Sequence, residues 1–497
     1  MERELNTTVA LLRRMINHHD SWIHRLPPEM LATVASHLED NASLVAATHV
    51  CHLWHTTLLS SPRLWSHLDF IDEECALAFL ERSKSAPLSV NLMDAFNPSK
   101  FVRESLNKIA TRVTTLRAEH STLLNEFLAR PMPMLEVLEV TDSKEFPSDK
   151  PTHFPSLTSL TISGFDPLRY RAPLLTSFHL VCNSIFTDSQ ELTAGILLDF
   201  LRNCPLLETV FLRCDARPNS DEVVSLPLLR SFTHESYRSE YQPHLLDRLS
   251  LPSACRVVLA VDVTEHGSDP WISGLCVPSD SSYLSDIRTI KIAARSPNSD
   301  GDQRHIIFEI GFVNSIQRVI SFNRVSYHSD TPSNFSYMGF SGILESVEIG
   351  SVETLCFDHY PASLRPNVTR VFIAQELPKF QNLKTLVLVE CDIIPFLDAT
   401  YSCPTVDTLV VYSMYQILSL DDNGPRVQEF AASRKKAGYP LKAITFVYPF
   451  AKPYPPELEK LMNCVGSVGV ISGGDALGWD VDGYLLGATA HDNSNRS

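Results

Sequence analysis

From residue 74 to residue 447 the chain repeats one order of apolar positions: a helix-spaced group, a proline, then a short alternating segment. Ala76, Phe79 and Leu80 precede Pro87 and the alternation Leu88, Val90, Leu92. Leu124, Phe127 and Leu128 precede Pro131 and Leu135, Leu138, Val140. Leu197, Phe200 and Leu201 precede Pro205 and Leu207, Val210, Leu212. The order returns with Ile393, Phe396 and Leu397 before Pro404 and Val406, Leu409, Val411, and with Val427 and Phe430 before Pro440 and Leu441, Ile444, Phe446. Spacings of three and four put the first group on one helix face, and a period of two puts the second on one face of a strand. The strand portion reads L-x-x-L-x-L, and further copies begin at Leu157, Leu175, Ile287, Val352 and Leu383.

Two copies run on into a longer pattern, Leu175-x-x-Phe178-x-Leu180-x-x-Asn183 and Leu383-x-x-Leu386-x-Leu388-x-x-Cys391. This resembles the leucine-rich repeat, with a period that is irregular here: Phe178 follows Leu160 by 18 residues and Val210 follows Phe178 by 32. A single unit of this kind cannot bury its apolar face alone, so neighbours stack on a shared core. The fold class expected is therefore α/β, an irregular leucine-rich-repeat-like solenoid with a parallel sheet, its core built on Leu138, Leu160, Phe178, Val210, Leu386 and Leu409. A sandwich or α/β domain of ordinary amphipathic strands is the competing architecture. Alternation assigns Glu139, Thr161, His179, Phe211, Val387 and Val410 to the open strand face. Of these, Glu139, His179 and Phe211, with the neighbouring Arg213, are the candidate target-binding residues, because aromatics and arginine dominate protein interfaces. Residues 213–345 fit the repeat poorly, and 264–283 and 294–305 read as polar loops.

Ahead of the repeats, residues 26–65 carry three short helical patterns with more apolar residues than so small a unit can bury. Pro27 and Pro28 suit a first helical turn, Glu29 complements the helix dipole, and Leu31, Val34 and Leu38 follow helical spacing. Asn41 or Ser43 can cap a second helix with Leu44, Ala47 and Val50. Cys51, Trp54 and Leu58 form a third, which Ser61-Pro62 ends. Residues 1–20 form an amphipathic helix on Leu5, Val9, Leu12 and Ile16. The expected domains are thus 1–20, a helical module at 21–70, the repeats at 71–450, and a C-terminal helix with an acidic tail at 451–497.

The string Leu26-Pro27-Pro28-Glu29, Leu38, Leu44, Val50-Cys51, Trp54 and Leu64-Trp65 resembles the F-box. With SSPRLW and the later FLERSKSAPLSV, it is similar to the fungal type of F-box protein over residues 20–92. The resemblance implies a partner, the Skp adaptor of a Skp–cullin–F-box ubiquitin ligase. It implies that Leu26, Pro27, Met30, Leu38, Leu44, Val50, Cys51 and Trp54 face that adaptor or support the surface that does. One departure stands out: His52 and His55 lie where the family usually carries Lys or Arg near Trp54, which lowers the positive charge at neutral pH. The implied function is that of a substrate receptor, with the F-box on the adaptor and the repeats on a protein target. No catalytic residue and no cofactor is implied, since a separate enzyme transfers ubiquitin.

Composition narrows the alternatives. With 58 Asp and Glu against 42 Lys and Arg, a formal charge of -16 disfavours nucleic acid or an anionic membrane as partner. No 18-residue apolar run and no apolar signal core appear, and the eleven scattered cysteines read as reduced thiols of cytosol or nucleus. His49, Cys51, His52 and His55 lack the two separated ligand pairs of a zinc module. No phosphate-binding loop, nucleophile elbow or H-E-x-x-H motif is present. An adaptor-bound scaffold outside any ligase, and an enzyme on a repeat-like α/β domain, remain the other functional classes.

Overall fold

The computed structural model describes residues 5, 8–9, 11–12, 15, 22–38, 40–70, 73–92, 100–119, 124, 127–143, 152–164, 170–182, 194–214, 222–236, 245–263, 287–295, 306–314, 319–326, 349–358, 377–389, 397, 403–412, 420–448 and 461–472. Asn183, Cys391, Ile393, Phe396, the loops at 264–283 and 296–305 and the tail beyond Ser472 lie outside the described residues. The chain divides into two compact units, one of Met1–Val181 with Asn203–Leu206, the other of Cys182–Arg202 with Leu207–Ser497.

After the helical residues 5, 8–9, 11–12 and 15 and a 3-10 turn at Trp22–Arg25, the first unit holds three eight-residue helices, α1 (Pro28–Ala35), α2 (Asn41–Thr48) and α3 (His52–Leu59). Pro28 supplies the preset φ of a first turn, and Glu29 follows it. The cap of α2 is Asp40 rather than Asn41 or Ser43. Its carboxylate accepts the Ser43 amide at 2.6 Å and the Ser43 hydroxyl at 2.8 Å, which holds its pKa below the usual carboxylate value. The reason is reach: a side chain must sit three residues ahead of the amide it caps. Leu31, Ala35, Leu44, Ala47 and Leu58 form the buried centre of the bundle.

After a short 3-10 turn at Pro62–Trp65 the chain enters a sheet without a linker. The elements are β1 (His67–Asp69), α4 (Glu73–Ser83), β2 (Leu88–Leu92), α5 (Lys100–Ile109), β3 (Val113–Glu119), β4 (Val137–Ser143), β5 (Thr152–His153), β6 (Ser159–Gly164), β7 (Tyr170–Arg171) and β8 (Ser177–Val181). Strands β1, β2, β3, β4, β6 and β8 pair in that order, all parallel. The tiny β5 and β7 pair separately. Register aligns the repeat: Leu68, Val90, Leu116, Leu138, Leu160 and Phe178 form one row across six strands, every member buried. This row is the physical content of the L-x-x-L-x-L pattern, each leucine packing on its equivalents in the neighbouring repeats.

The second unit holds α6 (Ala194–Arg202), β9 (Thr209–Arg213), β10 (Val224–Ser225), β11 (Ser231–Ser236), β12 (Leu249–Ser250), β13 (Arg256–Val263), β14 (Ile287–Arg295), β15 (Ile306–Asn314), β16 (Val319–Ser326), β17 (Thr354–Asp358), β18 (Thr385–Val389), β19 (Thr408–Tyr412), α7 (Leu420–Lys436), β20 (Ala443–Tyr448) and β21 (Ser467–Ser472). The main sheet runs β9, β11, β13, β16, β15, β14, β17, β18, β19, β20, β21. Every pairing is parallel except the two made by β15, which is antiparallel to both neighbours. Within the expected parallel sheet, β14–β16 form an inserted meander of longer strands. The parallel ladder also continues past residue 450, because β21 pairs along β20 from Ser467 to Ser472.

Two further features organise this unit. In β14, β17, β18, β19 and β20 the second position of L-x-x-L-x-L is charged, and the signs alternate: Arg288, Glu353, Lys384, Asp407, Lys442. Arg288 pairs with Glu353 at 3.1 Å, Glu353 with Lys384 at 3.0 Å, and Asp407 with Lys442 at 2.5 Å. The backbone amides of Glu353, Lys384, Asp407 and Lys442 each donate to the carbonyl of the preceding member. Burial raises the Asp407 pKa, but hydrogen bonds from Lys442 and Thr408 and the charges of Lys442 and Lys384 outweigh it, leaving it below the usual value. The second feature is Arg434, a buried cation in the last turn of α7. Its guanidinium donates to the carbonyls of Cys403 (3.1 Å), Pro404 (3.1 Å), Val406 (2.6 Å) and Tyr439 (3.2 Å), locking the turn that leads into β19. Gly438, at φ +87°, lets the helix end so that the Tyr439 amide returns to Arg434.

Candidate functional site

Helix α1 is apolar on two sides. Leu31 and Ala35 face the bundle, whereas Met30 and Val34, at i and i+4, are exposed, Met30 by 52%, as is Leu38 just beyond the helix end. In the turn between α2 and α3, Val50 is 65% exposed. Leu26, Cys51 and Trp54 are half-buried and Pro27 is exposed. Leu44 is buried, so of the adaptor residues expected from sequence it supports the surface from beneath. Four large apolar side chains, Met30, Val34, Leu38 and Val50, are thus exposed on a domain this small and make it a candidate docking surface. Val34 was not singled out for this surface, because spacing from Leu31 reads it into the core. The 30–34 spacing, one helical turn on the side away from Leu31 and Ala35, is the signal that separates the two faces.

The polar side of the first unit's sheet carries a second candidate surface. Asp69, Asn91, Arg117, Glu139, Thr161 and His179 stand in one register row across the six strands. Arg117 is exposed and the rest are half-buried. Arg117 Nε pairs with Glu139 Oε2 at 3.1 Å. Glu139 and His179 are thus brought onto one face as expected, with Thr161 between them, and register adds Asp69, Asn91 and Arg117. In the second unit Phe211 is half-buried and aligned with Thr233, while Arg213 pairs with Glu235 at 2.6 Å.

Toward the C-terminus the open-face expectation fails. Val387 and Val410 are buried in a cluster with Cys356, Val389, Tyr412 and Val447, so both faces of this part of the sheet are covered. The sequence reason is that TLVLV and TLVVY are continuous apolar runs, the mark of a strand buried on both faces. The same side holds the buried ion pair of Lys291 Nζ with Asp358 Oδ2 at 3.2 Å.

Chemistry among the described residues is sparse. No group of three His, Cys, Asp or Glu side chains there is arranged to hold a metal ion. His55 Nδ1 lies 3.2 Å from the Thr48 carbonyl. Burial pushes the Cys204 thiol up to about 12, far from a reactive thiolate. No helix among the described residues is long and apolar enough to cross a membrane.

Residues 23–71 match the family model described as F-box-like. No curated protein matches the chain. The chain therefore carries an F-box-like domain at 23–71, followed by a long parallel-sheet region consistent with leucine-rich-like repeats. An F-box-like domain implies binding of the Skp adaptor, and proteins that carry it are generally non-catalytic adaptors.

Proposed function

We propose that this chain is the substrate-recognition subunit of a Skp–cullin–F-box ubiquitin ligase, working in cytosol or nucleus. The observation that carries the reading is the exposed apolar set Met30, Val34, Leu38 and Val50 on the F-box-like domain. The adaptor buries that set, with Leu26, Pro27, Cys51 and Trp54 at its margin. A protein target lies on the polar strand face of the first unit at Glu139 and His179; Phe211 and Arg213 are separate candidate anchors on the second unit. The mechanism is proximity: holding a target near a charged ubiquitin-conjugating enzyme raises its effective concentration, and no residue of this chain takes part in bond making.

Proximity needs a firm joint between the docking domain and the sheet, and Trp65 supplies one. It is fully buried, its Nε1–H donates to the Leu58 carbonyl at 2.8 Å, and its ring meets Phe79 of α4 edge-on at 4.8 Å. Affinity purification of the full chain under proteasome inhibition tests the function. Adaptor and cullin should both co-purify, and ubiquitylated proteins should accumulate in a manner that needs the docking surface. Adaptor without cullin would favour a scaffold role and overturn the ligase assignment.

A further inference from the structure

The cations of this chain are divided by kind along its length. It has thirteen lysines, and none lies in residues 1–83, which carry six arginines. Residues 151–378 carry sixteen arginines and a single lysine, Lys291. That lysine is 6% exposed and its Nζ lies 3.2 Å from Asp358 Oδ2, so it is no surface amine. The other twelve lysines fall in two bands, 84–150 and 379–460. The surface outside those bands does not lack positive charge: Arg25, Arg63, Arg171, Arg202, Arg230 and Arg256 are all exposed. The cations on the two candidate target surfaces are arginines as well, Arg117 paired with Glu139 and Arg213 paired with Glu235.

Either residue makes a soluble surface, but the two differ as nucleophiles. A lysine amine can shed its proton and attack an acyl group, whereas the guanidinium stays protonated and delocalised. In a proximity mechanism the acyl group is a ubiquitin thioester, and it does not distinguish the amines of a target from those of the receptor that holds the target. Transfer joins the ubiquitin C-terminal carbonyl carbon to Nζ and breaks the carbon–sulfur bond to the conjugating enzyme's cysteine. The thiolate leaves, and the amine gives up a proton.

We propose that the absence of surface lysine shields the docking domain and the strands of 151–378 from the chain's own ligase, and that self-conjugation falls in the two lysine bands, first at Lys84, Lys108 and Lys436. These three side chains are exposed. Elsewhere in the bands the nitrogen is engaged: Lys384 with Glu353 at 3.0 Å, Lys442 with Asp407 at 2.5 Å, and Lys435 with the Asn463 carbonyl at 2.7 Å. The inference rests on the ligase reading and makes the chain an acceptor of ubiquitin, not a catalyst.

The test is the full chain assembled with adaptor, cullin complex, conjugating enzyme and ubiquitin, with the modified lysines mapped by mass spectrometry of the digested chain. Wild type should carry ubiquitin at Lys84, Lys108 and Lys436, and replacing those three by arginine should remove most of it. Arg63→Lys and Arg230→Lys place an amine in the docking domain and just ahead of β11, at exposed positions and with the charge kept. Both new lysines should take ubiquitin, and each variant should shorten the half-life of the chain in cells at least about twofold, an effect that proteasome inhibition removes. New lysines that stay unmodified while Lys84, Lys108 and Lys436 are conjugated would overturn the proposal, because those surfaces would need no shield. Wild-type conjugation that bypasses all three lysines, or half-lives unchanged by the new ones, would overturn it too. These failures occur within an assembled ligase and leave the ligase reading standing, whereas a chain that never joins adaptor and cullin overturns that reading and this inference with it.

Discussion

Replacing Trp65 by alanine should loosen the joint between the F-box-like domain and the sheet before it unfolds either. The side chain is fully buried, so truncation removes a large apolar volume at a cost of about 3–5 kcal/mol. Part of that cost is specific. The edge-on ring pair with Phe79 is worth about 0.5–1.5 kcal/mol, and the Arg82 guanidinium 4.4 Å above the indole about 0.5–1 kcal/mol. Trp65→Phe separates these effects. It keeps most of the buried ring but loses the indole donor to the Leu58 carbonyl, which retains the Ser61 amide at 3.1 Å, so only about 1–2 kcal/mol should go. Hydrogen exchange read peptide by peptide is the suitable assay, because a chain of two units need not unfold in one step. A loss of about 4 kcal/mol corresponds to roughly a thousandfold faster local opening across residues 52–83, up to the limit of local stability. Strands β17–β20 should keep their protection. If Trp65→Ala leaves exchange at 52–83 within about threefold of wild type, the residue is not the joint.

Arg434→Met should leave the carbonyls of Cys403, Pro404, Val406 and Tyr439 short of a donor, lowering stability by about 3–5 kcal/mol with the loss of protection centred on α7 and β19; unchanged exchange there would refute the role given to the guanidinium. Asp407 has a depressed folded pKa, so its contribution is fully present above the unfolded value of 3.8 and is lost as pH falls through the folded one. Acid unfolding should therefore steepen below about pH 4 in wild type and flatten there in Asp407→Asn, and identical acid limbs would contradict this. Phe211→Ala with Arg213→Glu should reduce captured protein partners while leaving adaptor affinity unchanged; a full set of partners would move recognition to the Glu139–His179 face. Leu386→Ala should cost about 2–5 kcal/mol, read chiefly in β17–β19, and a uniform loss over the chain would argue against stacked repeats.

What sequence could and could not reveal follows from which interactions are local. The apolar row from Leu138 to Phe178 was legible because every repeat repeats its own spacing, and register follows once neighbours stack. The docking domain was legible in LPPE, the VC-x-x-W spacing and LW. Strands β1 and β3 were not, since His67–Asp69 is three residues long and VTTLRAE interrupts its alternation. The meander of β14–β16 was hidden because strand direction leaves no mark on alternation. Whether Val34 faces in or out, and whether Val387 faces solvent, depends on what packs against each element. For Val387 the unbroken apolar run in TLVLV was the available clue. The alternating charges at Arg288, Glu353, Lys384, Asp407 and Lys442 were visible one by one, but became a ladder only when the strands were set side by side.

The central claim is that the exposed apolar side of the F-box-like domain binds the Skp adaptor, and equilibrium binding of purified adaptor to the full chain tests it most directly. Wild type should bind, and Met30→Asp with Val50→Asp, both at exposed positions and so compatible with folding, should weaken binding at least about a hundredfold, some 2.7 kcal/mol. A folded double variant that binds the adaptor as tightly as wild type would contradict the claim.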